Sequence, residues 1–95
     1  MKFEWDDNKN AANFDKHGIH FENAIGIFKG PVLTHVDDRA DYGEVREIST
    51  GEIAGSVVVV IVHTDRPQAR RVISARLASR KERKAYYDYC QKIIE

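Results

Sequence analysis

The side chains best suited to chemistry are the cations that cluster in residues 70–84. A guanidinium group suits phosphate binding because its planar fork can hold two oxygens and stays charged throughout a reaction. Arg76 stands at the end of an apolar, strand-like stretch, just before a predicted helix. Four more cations follow it at the helix start: Arg80, Lys81, Arg83 and Lys84. We predict that Arg76 binds a phosphate, whereas the two lysines are more simply explained as solvated surface residues.

A second group of residues could supply acid–base chemistry. Glu44 and Arg46 lie two residues apart on one side of a predicted strand, and they could act together or form only a weak surface salt bridge. Histidine is the usual acid or base near neutral pH. His17 falls in the last turn of a predicted helix, where it could be catalytic or could simply interact with the helix C-terminus.

Other kinds of site are not indicated. We expect no zinc site, because the lone Cys90 is far from any closely spaced pair of histidines. The sequence contains no glycine-rich phosphate loop and no Gly-x-Ser-x-Gly motif. We therefore expect neither a metal nor a cofactor.

The composition predicts one folded domain over residues 1–95. Hydrophobic residues make up 42% of the chain, enough for a core that a disordered chain would lack. The single cysteine and the absence of a secretion signal at the N-terminus predict a cytoplasmic protein. The longest apolar run, residues 57–62, is too short to span a bilayer, so we expect a buried strand and no membrane anchor.

Charge is distributed unevenly along a chain whose formal net charge is zero. Residues 1–65 carry 6 Lys and Arg against 12 Asp and Glu, a net charge of −6, whereas residues 66–95 carry 9 against 3, a net charge of +6. Such asymmetry can place a cationic face on an otherwise acidic protein, which is what binding to a phosphate backbone requires. The alternative is that both kinds of charge interleave in space as ordinary solvated ion pairs.

A short strand and two helices must position the early candidates. Residues 2–5 are typical of a strand, and an aspartate at position 6 or 7 can cap a helix that runs to about residue 17. We expect Gly18 to end that helix, and Ala11 and Phe14 to lie on its buried face. A stripe of four apolar residues predicts a second helix that ends at residues 30–31 and packs on a sheet: Phe21, Ala24, Ile25 and Phe28.

Four strands and a last helix are predicted for the rest of the chain. The strands cover residues 32–36, 45–50, 56–63 and 70–77, and their short, turn-forming connections favour antiparallel hairpins. The third strand is apolar at every position from 57 to 62, which places it at the centre of the sheet. Ser79 and Glu82 fit a capping box at the start of the last helix. The packing stripe of that helix is predicted to contain Tyr86, Cys90 and Ile93.

Alternation along the fourth strand assigns its residues to two faces. The more apolar face is predicted to hold Arg71, Ile73, Ala75 and Leu77. The opposite face is predicted to hold Arg70, Val72, Ser74 and Arg76. Simple alternation therefore separates Arg71 from Arg76.

Short blocks of residues, in a fixed order, cover nearly the whole chain. The early blocks are Phe3-Glu4-Trp5-Asp6, Lys9, Asn13, Lys16-His17-Gly18, Phe21, Ala24 and Phe28. The late blocks are Gly43-Glu44, Arg46, Thr64, Arg66, Arg71-Val72-Ile73-Ser74-Ala75-Arg76, Ala78, Glu82-Arg83 and Tyr86. No single block is specific, but the ordered set is difficult to obtain by chance. It resembles the BrnT family, the toxins of one class of type II toxin–antitoxin system.

The resemblance implies a fold, an activity and a partner. The implied fold is α+β and RelE-like: a short N-terminal strand and two helices packed on a four-stranded antiparallel sheet, with a C-terminal helix. The implied activity is metal-independent cleavage of RNA that inhibits translation. The implied partner is a cognate BrnA-like antitoxin that neutralises the toxin, and operator DNA would be bound only indirectly, through that antitoxin.

Carried onto matching positions, the resemblance implies six catalytic residues: Lys9, His17, Glu44, Arg46, Arg71 and Arg76. Metal-free RNA cleavage needs a base for the 2′-hydroxyl proton, cations for the charged phosphorane and a proton donor for the leaving oxygen. The base would be Glu44 or His17. Arg46 and Arg76 would be the cations, and Lys9 or His17 the donor. Further RNA contacts are expected from Arg80, Lys81, Arg83, Lys84 and Tyr86.

The acid–base residues belong to the acidic part of the chain, so we expect the site in a cleft between the first helix and the sheet. Two other functions remain open. The chain could be an inactive binding module that acts with a DNA-binding antitoxin as a corepressor. It could also be a structural interaction domain whose basic last helix docks an acidic peptide.

Overall fold

Residues 1–94, which a computed structural model describes, form five strands, three α-helices and one 3₁₀ helix. Their order is β1 (Phe3–Glu4), α1 (Asp7–His17), α2 (Phe21–Ala24), the 3₁₀ helix (Ile25–Lys29), β2 (Leu33–Val36), β3 (Glu47–Ile53), β4 (Val57–Arg66), β5 (Ala69–Leu77) and α3 (Arg80–Ile93). The architecture is α+β, as predicted. None of the helices in this part of the chain combines the length and apolar character needed to cross a bilayer.

The strands form one sheet in the order β1-β5-β4-β3-β2. Strands β2 to β5 pair in antiparallel hairpins, and β4 lies at the centre, as the apolar run predicted. The short first strand adds to the outer edge of β5 in parallel orientation, so the complete sheet has five strands and is mixed. We call the side that packs against α2 the α2 face, and the side that packs against α3 the α3 face.

The core on the α2 face joins the second helical segment to the middle of the sheet. Phe21, Ala24 and Ile27 are fully buried there against Val59 and Ile61. The segment is one α-helical turn followed by a 3₁₀ helix, and this tighter winding turns Ile27 into the core, whereas Ile25 and Phe28 are only partly buried. A Cβ atom on residue 51 would lie 2.6 Å from the Cβ atom of Ile27, so glycine permits this close approach.

The core on the α3 face is smaller. It consists of Val58, Val60, Ala78 and Tyr86, with Cys90 packed at its margin. The predicted capping box at the start of α3 is present: the Ser79 hydroxyl accepts from the Glu82 backbone N–H, and the Glu82 carboxylate accepts from the Ser79 N–H. The predicted packing of Ile93 is wrong, because the contacts of α3 with this core end near Cys90 and Ile93 is 51% exposed.

Helix α1 begins and ends where the sequence predicted. The Asp6 side chain accepts hydrogen bonds from the backbone N–H groups of residues 8 and 9, and Gly18 ends the helix with a φ of 74°. The predicted buried face is wrong, however, because Ala11 and Phe14 are exposed. The ring of Phe14 instead stacks on that of His20, with the ring centroids 4.0 Å apart.

Two asparagines, rather than apolar residues, attach α1 to the sheet. The Asn13 side-chain amide donates to the Ala75 carbonyl at 2.8 Å, and its oxygen accepts from the Ala75 N–H at 3.1 Å. Asn13 therefore completes the hydrogen bonds of β5 where that edge is no longer paired with β1. Asn10 accepts from the Phe21 N–H and fixes the start of α2 in the same manner.

Strand β5 contains an extra residue. Val62 pairs with Ser74 and His63 pairs with Val72, which leaves Ile73 as a β-bulge. The bulge overturns the predicted alternation, because it puts Val72 and Ala75 together on the α2 face. It also puts Arg71 and Arg76 together on the α3 face, where they pair with Thr64 and Val60, respectively.

Candidate active site

Arg76 lies at the end of β5, where the strand meets α3. Its two terminal nitrogens donate to the two carboxylate oxygens of Glu82 at 2.7 and 2.8 Å. These hydrogen bonds hold the pKa of Glu82 at about 2, and they raise the pKa of Arg76 above its usual value. The carboxylate that closes the helix cap thus also orients a guanidinium group that stays 43% exposed.

Arg71 lies farther along the same face. One of its terminal nitrogens donates to the Glu4 carboxylate at 3.0 Å, across the parallel pairing of β1 with β5. Both side chains are partly accessible to solvent. Each of these two arginines is therefore held by a carboxylate while part of its guanidinium group faces outward.

Glu44 and Arg46 lie together in the loop that precedes β3. The Arg46 guanidinium stacks on the ring of Tyr42, 4.0 Å from the centroid, and its Nε atom lies 3.8 Å from Glu44. Within residues 1–94, that buried Nε–H has no hydrogen-bond acceptor. Arg46 is thus positioned by stacking, and its side chain is 27% exposed.

Arg39, which lies in the same loop, was not predicted to have a function. It is one cation in a segment that is otherwise acidic, so its sequence context does not distinguish it. Arg39 donates through two nitrogens to both oxygens of the buried Asp37, each at 2.7 Å. These bonds lower the pKa of Asp37 to about 2.

The other residues predicted to be catalytic or to bind RNA lie on helices α1 and α3. Lys9 is exposed and His17 half-buried on α1, and within residues 1–94 neither side chain has a hydrogen bond or ion pair. Arg80 and Lys81 are exposed at the start of α3. The structure therefore puts Arg71 and Arg76 on one face, and within residues 1–94 no hydrogen bond or ion pair joins Lys9 or His17 to them.

Three predicted RNA-contact residues have partners within the chain. Lys84 forms a 2.9 Å ion pair with Asp88, and Arg83 donates to the carbonyl of Ala78. Tyr86 is 3% exposed and its hydroxyl donates to the carbonyl of Pro31. Tyr86 therefore packs α3 on the sheet and leaves no free ring face for a base.

Two surface depressions lie elsewhere. One of about 470 Å³ and one of about 310 Å³ flank the 3₁₀ helix, and Glu22, Gly26 and Lys29 contribute to both. Neither is lined by a residue that we predicted to be catalytic or to bind RNA. The candidate site considered below is the part of the α3 face that carries Arg71 and Arg76, both of which are partly exposed.

Comparisons with known proteins place the chain in a family. Residues 5–82 match the model of the family described as ribonuclease toxin, BrnT, of type II toxin–antitoxin system. The crystal structure of the Brucella abortus ribonuclease toxin, BrnT, superposes with a TM-score of 0.57 and 30% sequence identity, covering 84% of this chain and 99% of that chain. No curated protein matches the sequence. The chain belongs to the BrnT family of ribonuclease toxins of type II toxin–antitoxin systems.

Proposed function

We propose that this chain cleaves RNA without a metal ion, inhibits translation in the cytoplasm, and is neutralised by a cognate BrnA-like antitoxin. Membership of the BrnT family supports the ribonuclease activity and the pairing with an antitoxin. Operator DNA would be bound only through the antitoxin. The observation that carries the proposal for the site is the bulge at Ile73, because it brings Arg71 and Arg76 onto one open face.

The proposed catalytic roles follow from what each side chain offers. Arg46 and Arg76 stabilise the negative charge of the phosphorane, since both guanidinium groups are oriented and partly accessible. Arg71 binds a neighbouring phosphate of the chain. Glu44, next to Arg46, removes the proton of the 2′-hydroxyl.

The proton for the leaving 5′-oxygen comes from His17 or Lys9 in this proposal. Both residues belong to α1, which Asn13 attaches to the edge of β5 at Ala75, next to Arg76 in sequence. The products are a 2′,3′-cyclic phosphate and a 5′-hydroxyl. Arg80, Lys81, Arg83 and Lys84 extend the cationic surface along which the RNA strand lies.

The test combines growth and cleavage. Inducing the chain alone in a bacterial host should stop growth, and coexpression of the antitoxin should restore it. Purified protein should cut total RNA in EDTA, and cleavage that needs added magnesium would refute the metal-free mechanism. Arg76→Ala should abolish toxicity while the protein stays folded, and Lys92→Ala, which removes an exposed cation at the far end of α3, should not.

One observation favours a second function, that of an inactive corepressor. Arg39, Arg71 and Arg76 each already have a carboxylate partner within the chain, as expected of arginines that serve structure alone. In that case, induction would leave growth unchanged and purified protein would leave RNA intact. The same two assays therefore decide between the functions.

A further inference from the structure

A second polar group lies on the opposite side of the sheet, on the α2 face. Glu47 of β3 is paired directly with His63 of β4, and Asp65 follows two residues along the same strand. Cross-strand partners and residues at i and i+2 share a face, so the strands themselves bring these three side chains together. One nitrogen or oxygen atom from each side chain lies within 4.8 Å of the others.

The imidazole of His63 is buried and held from one side. Its Nε2 atom lies 2.8 Å from the hydroxyl of Ser49, which also forms a 2.8 Å hydrogen bond with the hydroxyl of Thr34. The ring of Phe28 packs edge-on against it, and the side chain is 1% exposed. These contacts fix the orientation of the ring and leave its other nitrogen, Nδ1, directed at the carboxylates.

That Nδ1 atom has no hydrogen-bond partner within residues 1–94. The nearest candidate, Oδ1 of Asp65, is 3.4 Å away, which is longer than an ordinary N–H···O hydrogen bond. An unpartnered polar atom in a fully buried side chain requires an explanation. In the neutral tautomer whose Nε2–H donates to the Ser49 hydroxyl, Nδ1 carries no hydrogen and can only accept. The Nδ1 atom of His63 and the carboxylates of Asp65 and Glu47 are then three acceptors that face one another.

The separation of these atoms fits a shared metal ion. Two ligand atoms that are each about 2.0–2.1 Å from a tetrahedral zinc ion lie about 3.4 Å apart. The observed distance between Nδ1 of His63 and Oδ1 of Asp65 has that value. Glu47 is half-buried and the Asp65 side chain is 47% exposed, so the open side of the group leaves room for water and for entry of an ion.

The surrounding residues resemble the outer shell of a metal site. The Arg70 guanidinium donates to both oxygens of Asp65, at 2.6 and 2.9 Å, which orients this carboxylate and leaves it further lone pairs. Two carboxylates against one guanidinium leave one negative charge, which a cation would balance. From this arrangement we propose that His63, Asp65 and Glu47 bind a divalent transition-metal ion, with Ser49 and Arg70 as positioning residues.

Zinc is the probe for the test. The full-length chain, stripped with EDTA and desalted, should bind one zinc ion in calorimetric titration, and its Tm should rise on binding. NMR should show a metal-dependent shift of the Nδ1 resonance of His63. Asp65→Asn and Glu47→Gln, which change accessible side chains, should each weaken binding at least tenfold, and Ser49→Ala should weaken it by a smaller factor.

Asp15→Asn and His35→Gln are matched controls, because both residues are exposed and lie outside the group. They should leave the affinity unchanged. The proposal is overturned if no stoichiometric zinc binds, in which case the group is only a set of hydrogen-bonding residues. It is equally overturned if Asp65→Asn and Glu47→Gln bind zinc like the parent chain. The site lies on the opposite face from the proposed RNA site, so RNA cleavage in EDTA tests the two proposals separately.

Discussion

Arg70 and Arg71 are neighbours in sequence but lie on opposite faces of the sheet. Arg70 lies on the α2 face over the ring of Phe28 and holds Asp65 within a closely packed polar group. Arg71 lies on the α3 face, where it shares an open surface with Arg76. On the α2 face the polar atoms bond mainly to one another. On the α3 face the guanidinium groups are oriented but accessible, as recognition of an external phosphate requires.

Charge count alone would therefore not locate the site. The C-terminal third carries a net +6, yet the arginines of β5 are divided between the two faces of the sheet. Alternation along β5 separates Arg70 from Arg71, and the bulge at Ile73 puts Arg76 on the same face as Arg71.

Arg46→Ala should reduce the rate of RNA cleavage by about 100-fold or more, because an oriented donor to the developing charge is lost. Single-turnover cleavage of a defined RNA in EDTA measures this. Lys29→Ala is the control, since Lys29 is an exposed cation beside the depressions of the α2 side and should have no effect. Equal losses in both variants would mean that the two faces do not differ in function.

Asn13→Ala should lower the free energy of unfolding by about 1–3 kcal/mol, because the buried N–H and carbonyl of Ala75 lose their partner. Urea denaturation gives the value. Asn8→Ala serves as the control, since its exposed side chain is on the same helix and makes no such contact. A cost near zero for Asn13→Ala would show that α1 is held to the sheet by other contacts.

Acid should destabilise the α2 face through His63. Burial lowers the pKa of this histidine from 6.5, an effect that the charge of Arg70 reinforces and those of Asp65 and Glu47 oppose. The unfolded chain therefore binds a proton that the folded chain does not, so stability should fall as the pH drops below about 6.5 towards the lower pKa of the folded state.

Denaturant titrations of the metal-free protein at several pH values give the slope of stability with pH. His63→Gln should make that slope shallower, because the titrating group is removed. An unchanged slope in the variant would assign the acid sensitivity to other residues.

Lys84→Ala should have the smallest effect, below about 0.5 kcal/mol, since its ion pair with Asp88 is exposed and of the i, i+4 type. Thermal denaturation at low and high salt is the measurement. A loss above 1 kcal/mol would indicate that α3 depends on this pair for its stability.

The sequence predicted those elements whose signals are local. The apolar run of residues 57–62 located the central strand. A strand that is covered on both faces is apolar at successive positions, whereas a strand with one exposed face alternates between apolar and polar residues. The capping box at Ser79 was recognisable because its two residues interact across three positions. Both features depend on neighbours within one element.

The remaining features depend on partners that are distant in sequence. Asn13 is buried because it bonds to Ala75, 62 residues away, and no pattern within α1 shows that. The bulge at Ile73 has no glycine to mark it, so simple alternation separated Arg71 from Arg76. Arg39 is held by the buried Asp37, and no pattern in this acidic segment marks that pair. His63, predicted to lie at a strand end, is instead fully buried within β4.

The central claim is that the α3 face, and not the α2 face, performs the chemistry. Arg71→Ala and Arg70→Ala test it most directly, because the two residues share a type and a strand and differ mainly in the face they occupy. RNA cleavage in EDTA should fall at least tenfold in Arg71→Ala and stay within about twofold of the parent rate in Arg70→Ala, with circular dichroism confirming that both are folded. Loss of cleavage in folded Arg70→Ala with full activity in Arg71→Ala would contradict the account.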